Sequence, residues 1–278
     1  MLAPVDLRLA LQALLALALA LLAGPPATGE PALPDAALTG REIYARVLAN
    51  RFDTFTQESS LASGDSAGRV QEMRMRMRFR DFSADGRSSL RGVVSKTLVQ
   101  YTHPFDLRHA GYLVIQNQGR SNDQFLYLPA RRQTRRVNLR GEAVFGTDFS
   151  FEDIIPRELE DATYERMDDE QISGEPVYVV AARPVPHNAS EYSRFDFYVD
   201  AERFVPLRTR YWEAAGVEIK ELQTDRADIR RFEDVYVPTR LTMRHLLHES
   251  FTTLRITSLV PNPGLPSEAF ELRRLEAH

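Results

Sequence analysis

The sequence predicts a mainly β protein built on one large curved antiparallel sheet with a few helices. Three observations carry this. Met73, Met75, Met77 and Phe79 alternate with Arg74, Arg76, Arg78 and Arg80, a period of two that defines a strand with one apolar and one cationic face. A dozen further strand-like runs follow, joined by short turn segments such as Ser173-Gly174-Glu175-Pro176 and Ala214-Ala215-Gly216. Connections that short make antiparallel hairpins and exclude parallel βαβ units, which need a crossover of a dozen residues or more.

The elements are predicted in chain order. Leu9 to Leu22 is a Leu/Ala run broken only by Gln12, with Arg8 before it and Gly24-Pro25-Pro26 after it. It is too short for a comfortable membrane span and has the layout of a cleaved export signal. Residues 1–29 are therefore assigned to a signal peptide and 30–278 to the folded domain. Thr39-Gly40-Arg41-Glu42 is a capping box, in which hydroxyl and carboxylate reciprocally satisfy early backbone N–H groups. Ile43, Tyr44, Val47 and Leu48 continue at helical spacing, giving a helix over about 40–51. Strands are expected near 73–80, 88–101, 111–117, 124–128, 133–139, 163–171, 177–183, 194–200, 204–213, 217–224, 226–233, 239–248 and 251–259. Short helical turns are expected over Phe149–Ile155 and Ser267–Leu272, the second capped by Ser267.

Composition narrows the chemistry. The 278 residues carry a formal net charge of −4, which argues against general nucleic-acid binding. Only Lys96 and Lys220 are lysines among 35 basic residues. Cysteine is absent, so there are no disulfides, thiolate metal sites, cysteine nucleophiles or lipidated N-terminal Cys. No nucleophile elbow or zinc-protease motif occurs. His245 and His248, three apart on a predicted strand, would point to opposite faces and make a poor metal pair. Asp148, Glu152 and Asp153 are read first as acids at a helix N-terminus, and second as an acid–base pair. No cofactor, metal or catalytic residue is expected.

The binding features are richer. Met73, Met75, Met77 and Phe79 belong either to an inert core or to a surface for variable apolar ligands, a use to which methionine is suited. Phe145, Phe149 and Phe151, in a loop-like segment, either plug a core or line a cavity mouth, and Phe195 and Phe197 on one strand face carry the same ambiguity. Arg131, Arg132, Arg135, Arg136 and Arg140 crowd one hairpin. They form either a solvated face or a dock for anionic headgroups or an acidic partner, since Arg grips phosphate bidentately.

The chain resembles the outer-membrane lipoprotein-sorting branch of the lipoprotein-localisation carrier superfamily (LolA/LolB-like). The resemblance rests on Thr102-His103-Pro104-Phe105-Asp106 ahead of Gly111-Tyr112-Leu113. It also rests on Phe125-Leu126-Tyr127-Leu128-Pro129-Ala130-Arg131-Arg132 with Arg135-Arg136-Val137, and on Gly146-Thr147-Asp148-Phe149-Ser150-Phe151-Glu152-Asp153. With strand order it extends over about 40–278. It implies an incomplete antiparallel β-barrel wrapping a hydrophobic cavity, with helices over the concave face. It further implies a non-enzymatic periplasmic carrier whose partners are a lipid or acylated lipoprotein, an inner-membrane exporter and an outer-membrane acceptor. The Arg-rich hairpin and the length depart from the founding carrier, which makes some lipid a better cargo than lipoprotein. A sensor or regulatory binding protein of the same fold is the alternative, and a periplasmic lipid hydrolase a third.

Overall fold

A computed structural model describes residues 38–83, 92–186 and 190–276; the expected signal peptide lies outside them. The chain opens with α1 (Gly40–Ala49), followed by β1 (Thr54–Gly64), β2 (Val70–Asp81), β3 (Val93–His103), β4 (Gly111–Asn117), β5 (Asp123–Leu128) and β6 (Gln133–Val137). A long connection containing the one-turn helix α2 (Phe151–Ile154) leads to β7 (Ala162–Arg166), β8 (Glu170–Ile172), β9 (Glu175–Pro184), β10 (Arg194–Asp200), β11 (Pro206–Trp212) and β12 (Glu218–Gln223). Next come the hairpin β13 (Ile229–Phe232) and β14 (Val235–Pro238), then β15 (Arg240–His245), β16 (Ser250–Pro261) and α3 (Arg273–Glu276).

Fourteen strands form one open antiparallel sheet in the order β6-β5-β4-β3-β2-β1-β16-β15-β12-β11-β10-β9-β7, with β8 also paired to β9. Two antiparallel meanders are thus stitched together by β1 and β16. The free edges, β6 and β7, are consecutive in the chain, so residues 138–161 run from one edge of the sheet to the other.

The expected alternation of β2 is observed. Met73, Met75 and Phe79 are buried and Met77 partly so, while Arg76 points outward to Glu58 at 2.7 Å and Arg78 donates to Gln100 at 3.0 Å. On the outer face of β3–β5 the C-terminal segment packs Phe270 and Leu275 against Leu98, Leu113 and Tyr127. Glycine at 111 lets this segment approach closely: a Cβ there would lie 2.8 Å from a methyl of Leu275, which would have to shift.

Several expected elements differ. β1, of composition Thr-Phe-Thr-Gln-Glu-Ser-Ser-Leu-Ala-Ser-Gly, is absent from the sequence reading because it lacks apolar alternation, yet it sits mid-sheet between β2 and β16. The 163–171 run breaks into β7 and β8, and the 226–233 run begins as a 3-10 turn and pairs only with β14, outside the main sheet. Ser267 lies inside its 3-10 turn, and Pro266 holds the cap position. The strand expected over 239–248 ends at His245, and the turn that follows stacks His245 on His248 with ring centroids 3.8 Å apart. The opposite-face reading therefore fails: it assumed extended backbone through residue 248.

Candidate functional site

Cross-strand register defines the inner face of the sheet. Paired residues share a face, so Gln57, Met77, Val99, Tyr112, Leu126 and Arg135 form one row. Phe195, Tyr211, Lys220, His245 and Ser250 form another at the far side. Two different elements cover this face.

The half built on β1–β5 is covered by residues 138–158. Here the chain makes a tight two-residue hairpin: Ala143 bridges Ser150, and Thr147 N–H donates to Val144 C=O at 3.0 Å. Phe145 and Gly146 both have positive φ (47° and 81°), the type I′ geometry that matches strand twist and that glycine at the second position tolerates without strain. The turn drives Phe145 edge-on against Tyr101 (4.9 Å), and Phe151 lies 4.8 Å from Tyr112. Met73, Met75, Met77, Phe145, Phe149 and Phe151 thus come together in one apolar cluster with Leu61, Val99 and Val114. Phe79 stacks on Phe55 instead. Thr97 Oγ1 and Tyr101 Oη are buried on this face without a hydrogen-bond partner.

The half built on β7–β11 is covered by α1. The capping box is formed: Glu42 N–H donates to Thr39 Oγ1 at 3.3 Å, and Thr39 N–H and Oγ1 donate to the Glu42 carboxylate at 2.8 and 2.7 Å, which holds that carboxyl below its ordinary pKa. Gly40 abuts β7 so closely that a Cβ would sit 2.8 Å from Arg166 N. Ile43 is fully buried, and Tyr44 stacks on Tyr164 (4.7 Å) and leans on Phe197 (4.8 Å). Burial pushes the Tyr44 hydroxyl up to about 12. Phe197 therefore lies under α1 and Phe195 under Arg157 of the connecting segment, both apart from the methionine cluster and beside a residual cavity of about 10 Å³.

Buried carboxylates tether residues 138–158 to their surroundings. Asp148 accepts from Ser250 Oγ at 2.5 Å and Thr252 Oγ1 at 2.7 Å on β16. Glu152 accepts from Ser190 Oγ at 2.6 Å and Glu191 N–H at 3.0 Å, with Arg140 Nε at 3.5 Å and an Arg157 guanidinium nitrogen at 3.8 Å. Asp153 caps α2 through Ser150 N–H (2.8 Å) and Oγ (3.0 Å), and receives Tyr192 Oη at 3.4 Å. Lys220 Nζ donates to the same Tyr192 Oη at 3.2 Å. Burial raises the Asp153 pKa, against the pull of Lys220, the Ser150 backbone and Arg157. Arg157 sits 3.9 Å over the Phe195 ring; burial opposes its charge, but Tyr44, Tyr211, Glu152 and Asp153 raise its pKa. The reading of acids at a helix N-terminus thus holds for Glu152 and Asp153, both in the first turn of α2 with Asp153 capping it, and Asp148 and Glu152 also act as long-range tethers. Sequence reasoning missed Lys220, Tyr192 and Arg157; the one signal was a lysine between Ile219 and Glu221 in a strand of an arginine-rich chain.

The five hairpin arginines divide. Arg131 and Arg132 are exposed at the β5–β6 turn, Arg135 and Arg136 are exposed on opposite faces of edge strand β6 with Arg136 paired to Asp123, and Arg140 turns inward to Glu152. A groove of about 1610 Å³ lies along the 138–158 segment, lined by Gln116, Arg136, Arg140, Glu142, Arg157 and Glu191 among others. Among the described residues no helix is long and apolar enough to cross a membrane.

The open antiparallel sheet, with a helix and the segment joining its two edges over its inner face, is an architecture shared with known structures. The chain superposes on an outer membrane lipoprotein-sorting protein domain from Vibrio parahaemolyticus with a TM-score of 0.77 at 21% identity, covering 85% of this chain and 98% of that one. It matches a DUF1329 family protein from Desulfovibrio piger (TM-score 0.78, 21% identity, 85% and 97% covered). It also matches a LolA superfamily protein from Nitrosomonas europaea (TM-score 0.68, 17% identity, 86% and 100% covered). At these identities the likeness shows a shared fold, the one expected from the sequence motifs. Residues 94–277 match a protein-family model described as "Uncharacterized protein", and the chain belongs to that family. No curated protein matches the chain.

Proposed function

We propose that this protein is a periplasmic, non-enzymatic carrier that shelters the acyl chain of a lipid or lipoprotein on the inner face of its sheet and passes it between envelope components. The reading rests on one observation above all: the apolar half-face of Met73, Met75, Val99, Tyr101 and Tyr112 is covered by the 138–158 connection and, among the described residues, by no second sheet. Exposing an acyl chain to water costs about 0.8 kcal/mol per methylene, so roughly 15 methylenes need on the order of 12 kcal/mol of shelter. A segment that leaves the face surrenders apolar contacts of the kind an acyl chain restores. The exposure of Arg131 and Arg132 at the β5–β6 turn supports a role in meeting an anionic headgroup or an acidic partner, and the Leu9–Leu22 run would direct export.

The test is to purify the protein from the periplasm, extract it with organic solvent and weigh what is released. Intact lipid in stoichiometric amount is the expected result. Its absence favours a sensor of the same fold, and a cleaved lipid favours a hydrolase. Met75→Glu, which places an unpaired charge on the inner face, should abolish binding of a fluorescent fatty acid, with circular dichroism as the folding control. Met75→Ala that folds and binds with unaltered affinity would return the stripe to inert core.

A further inference from the structure

The row Phe195, Tyr211, Lys220, His245 and Ser250 holds one permanent charge, and it is buried: Lys220 is 9% exposed. Among the described residues, no carboxylate of the sheet pairs with that ammonium. Its neighbours from the sheet and the β9–β10 loop are Tyr211, His245 and Tyr192, with His248 stacked behind His245. The carboxylate that reaches it, Asp153 through Tyr192, comes from the 138–158 segment, which also brings Asp148 to Ser250 at the end of the row. The arrangement is therefore divided: the fixed wall supplies a cation and hydroxyl donors, and the covering segment supplies the anions.

That division constrains any ligand that takes the segment's place. A purely apolar chain would replace the contacts of Phe145 and Phe151 but leave Lys220 buried without a counter-charge, a costly state. An amphiphile ending in an anion would replace both. We propose that Lys220, with Tyr192 Oη, anchors the anionic group of an acyl amphiphile at the position Asp153 occupies in this structure, so that the site selects acyl chains bearing a carboxylate or phosphate over neutral ones. This deepens the carrier reading and rests on it.

The experiment compares a fluorescent fatty acid with its methyl ester on the full exported chain, by titration. The wild type should bind the free acid at least ~10-fold more tightly than the ester, the effect of one charge-assisted hydrogen bond. Lys220→Met should lose that preference by weakening the acid alone. Lys220→Arg should keep it. Asp153→Asn, which removes the internal competitor, should tighten the acid and leave the ester unchanged. Excess acetate should not displace the probe; displacement would mean a site for small anions and would overturn the amphiphile claim. Equal wild-type affinity for acid and ester overturns the anchor while the carrier reading stands. Binding of neither probe overturns both. Should Lys220→Met fail to fold, the Asp153→Asn and Lys220→Arg titrations decide, because unchanged acid affinity in the first or lost preference in the second overturns the anchor.

Discussion

The two halves of the inner face are covered by elements held in opposite ways. Over β7–β11, α1 is fixed by ring stacking and apolar burial, with Tyr44 between Tyr164 and Phe197 and Ile43 fully enclosed. Over β1–β5, the 138–158 segment is apolar at its tip but tied down by carboxylates, the buried Asp148 and Glu152 and the half-buried Asp153. Ring stacking is indifferent to pH and salt. Buried ion pairs and protonatable acids are not, and breaking one partner of such a pair is far more costly than the pair's net worth. The comparison teaches that the α1 half is the permanent part of the core, whereas the 138–158 half is held by chemistry that a change of protonation or a competing anion can undo.

The sharpest way to break this contrast is in the α1 half. Tyr44→Ala should cost about 4 kcal/mol, as large aromatic truncations in a closed core do. Urea unfolding should show that loss to be the same at low and high salt. A salt-dependent loss would show that α1 is held by charge after all.

In the other half, Glu152→Gln leaves Arg140 and Arg157 facing a neutral amide. It should cost about 3 kcal/mol, since both guanidinium groups lie close to a fully buried carboxylate. Hydrogen exchange should speed up across 138–158 first, with β7–β11 still protected. Uniform loss of protection would mean that the segment and the sheet open as one unit.

A smaller effect belongs to Asp153. Its folded pKa is raised, so its contribution to stability is complete below the ordinary carboxyl value of 3.8 and is lost as pH climbs through the raised value. The urea midpoint of the wild type should therefore fall relative to Asp153→Asn as pH rises above that ordinary value. Parallel profiles would show that Asp153 is ionised in both states. Smallest of all, Thr39→Ala should cost about 1 kcal/mol by removing one side of the capping box, with the loss confined to α1.

The sequence by itself determined what short-range physics determines. Two-residue alternation identified β2 and its two faces, Thr39 and Glu42 identified the helix start, and turn residues separated most of the strands, because each of these signals is a steric or hydrogen-bonding preference acting within a few residues. The motif around Gly146–Asp153 pointed to the segment that turned out to cover the β1–β5 half. Only the tertiary structure decided the rest. β1 has the composition of a loop and becomes a central strand because β16, some 190 residues away in the register Ser63 to Thr252, supplies its second partner. His245 and His248 meet because the chain turns where the sequence still reads as strand. Nothing local to Lys220 marked it as buried; the pairing of β12 between β11 and β15 turns it inward, and Asp153 reaches it through Tyr192 only because 138–158 folds back across the sheet. Burial and charge pairing are properties of what lies across from a residue, and in an antiparallel sheet whose edges are joined over its own face, that neighbour is seldom near in sequence.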